Sequence, residues 1–176
     1  MTPADIIQRL ETLLPSAIVS KKLDAVDPWV ALDLGQFHAT MQRLRDEPEF
    51  DFSILNCVSG VDYLEPDAKK APKAGFEPHL EVVYHLSSFR HRHRLTVKLI
   101  LPRWKNDQPG QLPEVPTVCD LWRTADWHER EVFDLCGVQF LGHPDLQRIL
   151  LAEDWEGYPL RKDYVYPQEY HGIRCR

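Results

Sequence analysis

Charged and ligating side chains crowd into one stretch, EREVFDLCGVQFLGHPDLQRIL, residues 129–150. Its carboxylates, arginines and histidine are the types that do acid–base work or hold a metal. General acid–base catalysis needs a titrating group poised near its substrate, and normally a second group beside it. His128-Glu129 falls short of the His-Glu-x-x-His zinc helix, because Val stands at position 132. On a helix Asp126, Arg130 and Asp134 stack at four-residue steps, and such pairs contribute about 0.2–0.5 kcal/mol each. They read as a salt-laced helix face. Trp127, Glu131 and Leu135 share another face, so Glu131 is expected to need a cation, with Arg148 and Arg161 as candidates. Gly142-His143-Pro144 reads as a tight turn, with His143 held extended by the proline. Asp145 is expected in the first turn of a short helix. His143 could serve as a base or ligand, but no second ligand lies near it in sequence. A stand-alone enzyme would have to be built on His128, Glu131 and His143.

Other chemistry is sparse. Cys57, Cys119, Cys136 and Cys175 are far apart, whereas zinc and iron–sulfur sites use closely spaced ligands. They are expected to be reduced thiols, mostly small core hydrophobes. FRHRHR, residues 89–94, could bind an anion, but its place between two strands predicts a solvated turn. No dinucleotide fingerprint, phosphate loop or nucleophile elbow occurs.

The positioning elements follow from the rest of the chain. It has 176 residues, 43% hydrophobic and 27% charged, with a formal charge of −6. That is one domain with room for a core, and its acidity argues against a nucleic-acid binder. No apolar run approaches the roughly 20 residues that span a bilayer. The first residues lack the pattern of a signal or transit peptide, so the chain is expected to stay in the compartment where it is made.

Residues 3–14 predict a helix, with Thr2 as cap and Ile6, Ile7, Leu10, Leu13 and Leu14 on one side. Short β pieces are expected within 17–23 and 29–34, a second helix over 35–47, and a strand within 50–64 that Gly60 can bend. Residues 65–78 read as a surface loop. A hairpin is expected from 79–86 and 93–101, the second strand alternating Leu95, Val97, Leu99 and Leu101 with Arg94, Thr96 and Lys98. Residues 117–137 predict helix in two pieces broken near Thr124, stopped by Gly137. Beyond Gly137 the chain has no periodic run but is rich in Tyr, Leu and Ile. Disordered tails are poor in aromatics, so residues 138–176 are expected to lie extended against a surface, their own domain's or a partner's.

Residues 127–164 carry a resemblance. Glu129-Arg130-Glu131, Phe133-Asp134, Gly137, Phe140 and His143-Pro144-Asp145-Leu146-Gln147-Arg148-Ile149-Leu150 occur in fixed order. Gly157-Tyr158-Pro159-Leu160-Arg161-Lys162-Asp163 follows. This arrangement resembles the 30-kilodalton subunit family of proton-pumping NADH:quinone oxidoreductase, respiratory complex I. The order of elements is similar along the whole chain, though the specific motifs begin only near Thr117. Gln147 departs from a usually basic position and Cys136 from a usually bulky one.

The resemblance implies a compact α+β domain over 1–137, with a small mixed or antiparallel sheet, and an extended segment over 138–176 that wraps a partner subunit. It implies a non-catalytic scaffold and assembly subunit on the cytoplasmic side of a bacterial plasma membrane. Membrane association would be peripheral and only through the complex. No flavin, iron–sulfur cluster or metal would sit in this chain; FMN and the clusters would belong to neighbours. The partners implied are the hydrogenase-like large subunit and the terminal-cluster subunit, with no nucleic acid. Structural or subunit-interface roles fall on Glu129, Arg130, Glu131, Asp134, Gly137, His143, Pro144, Arg148, Gly157, Pro159, Arg161, Lys162 and Asp163. The equivalent subunit of a complex I-like membrane-bound [NiFe] hydrogenase is the alternative. In either setting truncation after Gly137, or Arg161→Ala, is expected to spare the fold and impair assembly.

Overall fold

The computed structural model describes residues 1–175. Helix α1 (Pro3–Leu13) opens with a capping box, Thr2 and Asp5 satisfying each other's backbone N–H, and buries Ile6, Ile7 and Leu10. Strands β1 (Ile18–Lys22) and β2 (Trp29–Leu32) follow, then α2 (Phe37–Asp46), which buries Phe37, Met41 and Leu44. Strands β3 (Ile54–Tyr63), β4 (His79–Ser87) and β5 (Arg94–Leu101) complete a five-stranded sheet in the order β1-β2-β5-β4-β3. The sheet is mixed, since β2 runs parallel to β5 and the other neighbours are antiparallel. The fold is thus α+β, as the resemblance implies.

Register explains the core. Leu80, Val82, Tyr84 and Leu86 stand opposite Leu101, Leu99, Val97 and Leu95. All eight are buried, because a period of two puts every second residue on the helix-covered face. Helix α3 (Ala125–Cys136) crosses β3 at Gly60. A Cβ on Gly60 would lie 2.7 Å from Cys136 Sγ and 3.1 Å from a Val132 methyl. The glycine admits the helix rather than bending the strand. Strands β6 (Glu114–Pro116) and β7 (Gln139–Leu141) pair in parallel beside α3, and β8 (Glu169–Tyr170) and β9 (Ile173–Arg174) form a small terminal hairpin.

Several expectations change. Residues 117–124 are turns, not a helix. Trp122 donates its indole N–H to Phe52 O at 2.9 Å, and Thr124 its hydroxyl to Leu55 O at 3.1 Å. These side-chain bonds tie the segment to the start of β3. No helix follows Asp145 either, whose N–H is taken by the His143 ring at 3.1 Å. The 89–94 turn is only partly solvated. His93 is buried with Nε2 at 2.7 Å from Phe50 O, and His91 reaches Pro48 O at 2.8 Å. Of the four free cysteines only Cys136 is buried outright. The core also runs past Gly137: Val138 and Phe140 are buried in and beside β7. A cut after Gly137 would therefore strip the core, contrary to expectation.

Candidate functional site

The C-terminal end of α3 collects the charged side chains. Its periodicity buries Glu129, Arg130 and Asp134 against the domain. Glu131 is exposed. The expectation that Glu131 needs Arg148 or Arg161 is therefore wrong: the helix is rotated so that Glu131 meets water, and Trp127 on the same side is 65% exposed. Arg130 pairs with Asp126 at 2.8 Å as the four-residue spacing predicts, and also with Asp145 at 3.1 Å. Asp134 does not join that stack.

Asp134 instead receives the trailing segment. Its Oδ1 accepts from Arg148 at 2.7 Å, and its Oδ2 accepts from the consecutive N–H groups of Ile149, Leu150 and Leu151 at 2.8–3.0 Å. Burial alone would raise its pKa, but the N–H groups of Leu151, Leu150 and Ile149 and the Arg148 guanidinium outweigh it and hold the carboxyl below its ordinary value. Arg148 also donates to Gly157 O at 3.2 Å and lies over the Tyr158 ring.

Arg161 makes the second attachment. It is 5% exposed and donates to Cys136 O at 2.8 Å, Gly137 O at 3.0 Å and Arg103 O at 2.8 Å. Two of these carbonyls end α3, where the helix leaves acceptors unpaired and a cation suits the dipole. Its guanidinium stacks 3.7 Å from the Trp104 ring centroid. Gly137 closes the helix at φ +69°, and a Cβ there would lie 2.7 Å from the Tyr158 ring. The third attachment is a chain of charges. Arg103 binds fully buried Asp62 through Nε and Nη2, both at 2.8 Å, and Asp163 at 2.7 and 3.0 Å. Lys162 donates its backbone N–H to Asp62 at 2.8 Å. The Arg103 bonds hold the Asp163 carboxyl below its ordinary value.

A second cluster lies at the other end of α3. Glu129 is wholly buried and accepts from the Thr117 hydroxyl, from the Val118 N–H at 2.9 Å and from the Cys119 thiol at 3.3 Å. Burial pushes its pKa up to about 7 against the pull of those donors, and burial pushes the Cys119 thiol up to about 12. Cys119, Glu129 and His143 place potential ligand atoms within 4.8 Å of one another. Each already has protein partners: the His143 Nε2 lies 3.1 Å from Asp126 O and its Nδ1 accepts from Asp145. The set reads as a buried cap on the 117–119 turn. Neither His128 nor Glu131 belongs to it, so among the described residues His128, Glu131 and His143 do not come together as a metal-ligand group.

Of the residues singled out in the sequence, Glu129, Asp134, Arg148 and Arg161 face inward onto partners in this chain, as does the His143 side chain, while Asp163 pairs with Arg103 from an exposed position. Gly137 and Gly157 supply positive-φ turns. Glu131, Pro144 and Lys162 are exposed and Pro159 half-buried. Asp62 and Arg103 were missed, and only a strand pattern with an acid on its core face, at Asp62, could have signalled them.

Fold and site together define a mixed-sheet α+β domain whose trailing segment is fastened by buried charge contacts. The family described as respiratory-chain NADH dehydrogenase, 30 Kd subunit, matches residues 30–170, and the chain belongs to it. The C-type subunit of the NADH-quinone oxidoreductase of Roseiflexus castenholzii is 40% identical over 158 residues, 90% of this chain and 81% of that protein. The protein of the same description from Chlorobium phaeobacteroides is 43% identical over 143 residues, 81% and 76% of the two chains. The fold is shared with a chain in the structure of the membrane-bound sulfane sulfur reductase (MBS), an archaeal respiratory membrane complex, at TM-score 0.67 and 24% identity, covering 92% of this chain and 85% of that one. Among the described residues no helix is long and apolar enough to cross a membrane.

Proposed function

We propose that the chain is a non-catalytic scaffold and assembly subunit of the peripheral arm of a proton-pumping NADH:quinone oxidoreductase, on the cytoplasmic side of a bacterial plasma membrane. Electrons would pass from NADH through FMN and iron–sulfur clusters held by neighbouring subunits to quinone. This chain would hold no cofactor and would fix its neighbours in register. Its trailing segment would lie on the hydrogenase-like large subunit, close to the terminal-cluster subunit. The names of the 40–43% identical relatives favour this assembly over a hydrogenase-type one.

One observation carries the reading. In the segment after Gly137 the Arg148 and Arg161 side chains and the Lys162 N–H turn inward onto Asp134, the end of α3 and Asp62, while Leu150, Leu160, Val165, Tyr166 and Ile173 stand exposed, Val165 at 85%. Exposed apolar side chains in a segment held rigidly by its other face are what a docking strip requires. The test is a chain ending at Tyr164, which keeps all three attachments. It is expected to fold normally while complex recovered by native gel and quinone-reductase activity both fall severalfold. Full recovery of complex and activity would overturn the scaffold reading.

A further inference from the structure

The terminal hairpin and the 154–156 turn enclose a cleft of about 490 Å³ walled by Trp155, Tyr164 and Tyr170 and edged by Asp154, Glu156 and Glu169. We propose that this cleft receives an arginine or lysine side chain from a basic segment of the partner subunit. The inference rests on the scaffold reading and names the chemistry of one contact within it.

The cleft is lined by the Trp155–Tyr170 pair and by Tyr164. Trp155 and Tyr170 lie 5.0 Å apart, and Tyr164 contacts Tyr166 at 4.9 Å. Aromatic faces flanked by carboxylates attract a cation by quadrupole and charge together. The molecule already places a guanidinium on aromatic faces internally, where Arg161 stacks on Trp104 and Tyr158. No described cation occupies the rings of Trp155, Tyr164 or Tyr170. His171 pairs with Asp154 at 2.7 Å, and the Tyr170 hydroxyl donates to the same carboxylate at 2.7 Å. Glu156 and Glu169 form no ion pair among the described residues, and both are exposed. Arg174 stands opposite Glu169 across the β8–β9 pair without bonding it, Arg161 is buried against carbonyls, and Arg103 is spent on Asp62 and Asp163, so among the described residues Glu156 keeps an unpaired carboxylate at the cleft edge. The Trp155 indole N–H is buried without an acceptor, an orphan donor of the kind that calls for a group from outside.

The test uses the full chain and two short capped peptides, glycine-arginine-glycine and glycine-norleucine-glycine, followed through the Trp155 indole resonance, which Trp155→Phe identifies. The arginine peptide is expected to move that resonance saturably and the norleucine peptide not. Glu156→Gln with Glu169→Gln should weaken the effect about tenfold and lower retention of the chain in the complex as salt is raised. A silent titration, an equal response to both peptides, or a shift that depends only on protein concentration and so reports self-association would each overturn the cleft assignment. If the chain ending at Tyr164 still loses assembly in those cases, the scaffold reading stands without it. If that shortened chain assembles normally, the scaffold reading itself fails.

Discussion

Arg148 reaches back fourteen residues to Asp134, with Nη1 2.7 Å from Oδ1 and 3.1 Å from the Asp134 carbonyl. The same carboxylate takes three consecutive N–H groups from 149–151. One buried anion thus sets where the trailing segment leaves the domain.

Asp134→Asn removes the charge and leaves the Arg148 guanidinium unpaired in a site where it is mostly buried. A loss of about 3 kcal/mol is expected, the scale for breaking a buried charge pair. Faster amide exchange at residues 149–151 should accompany it. In the unaltered chain this carboxyl's contribution is present above its ordinary value of 3.8 and is lost as pH falls below it, because its folded pKa is the lower one. An acid limb that is unchanged in the variant would contradict the assignment.

Arg161→Ala should destabilise the domain itself, contrary to the expectation that it would touch assembly alone. It orphans three carbonyls and empties the space beside Trp104. The expected cost is about 3–5 kcal/mol, read from a shifted urea midpoint at constant slope. Arg161→Lys should recover only part, since one ammonium cannot reproduce the planar fork.

Glu129 imposes the opposite pH limb. Its folded pKa of about 7 stands above the ordinary 4.5, so its protonated form favours the fold at low pH and that stabilisation is lost as pH rises through 7. The groups around it are the Cys119 thiol, His143, Asp120 and Asp126. Glu129→Gln should flatten the fall in stability between about pH 5 and 8, a change on the order of 3 kcal/mol at most. Thermal melts across that range measure it, and an identical slope in the variant would sink it.

Gly60→Ala should lower the melting temperature without altering β3 pairing. The new methyl meets Cys136 Sγ and Val132 on a helix with little room to withdraw. A cost of about 1–3 kcal/mol is expected, and Cys136→Ala in the same chain should relieve part of it.

Local order was legible because its causes are local. Alternation in β5, the apolar stripe of α1, the Thr2 cap and the Gly137 stop each depend on neighbours a few residues away. The fixed order from Glu129 to Asp163 sufficed for the family. The sequence also singled out Arg148, Arg161 and Asp163. It did not determine to what, because burial on α3 turns on the rotation of the helix against β3, and that rotation is set by a contact at Gly60, far away in the chain. The same rotation sends Glu129 and Asp134 inward and Glu131 outward. Tertiary structure alone brought Asp62 and Arg103 to the tail and Thr117 to Glu129. Ion pairs and caps across such separations have no period to read. They arise only once packing has fixed which low-dielectric sites need a counter-charge.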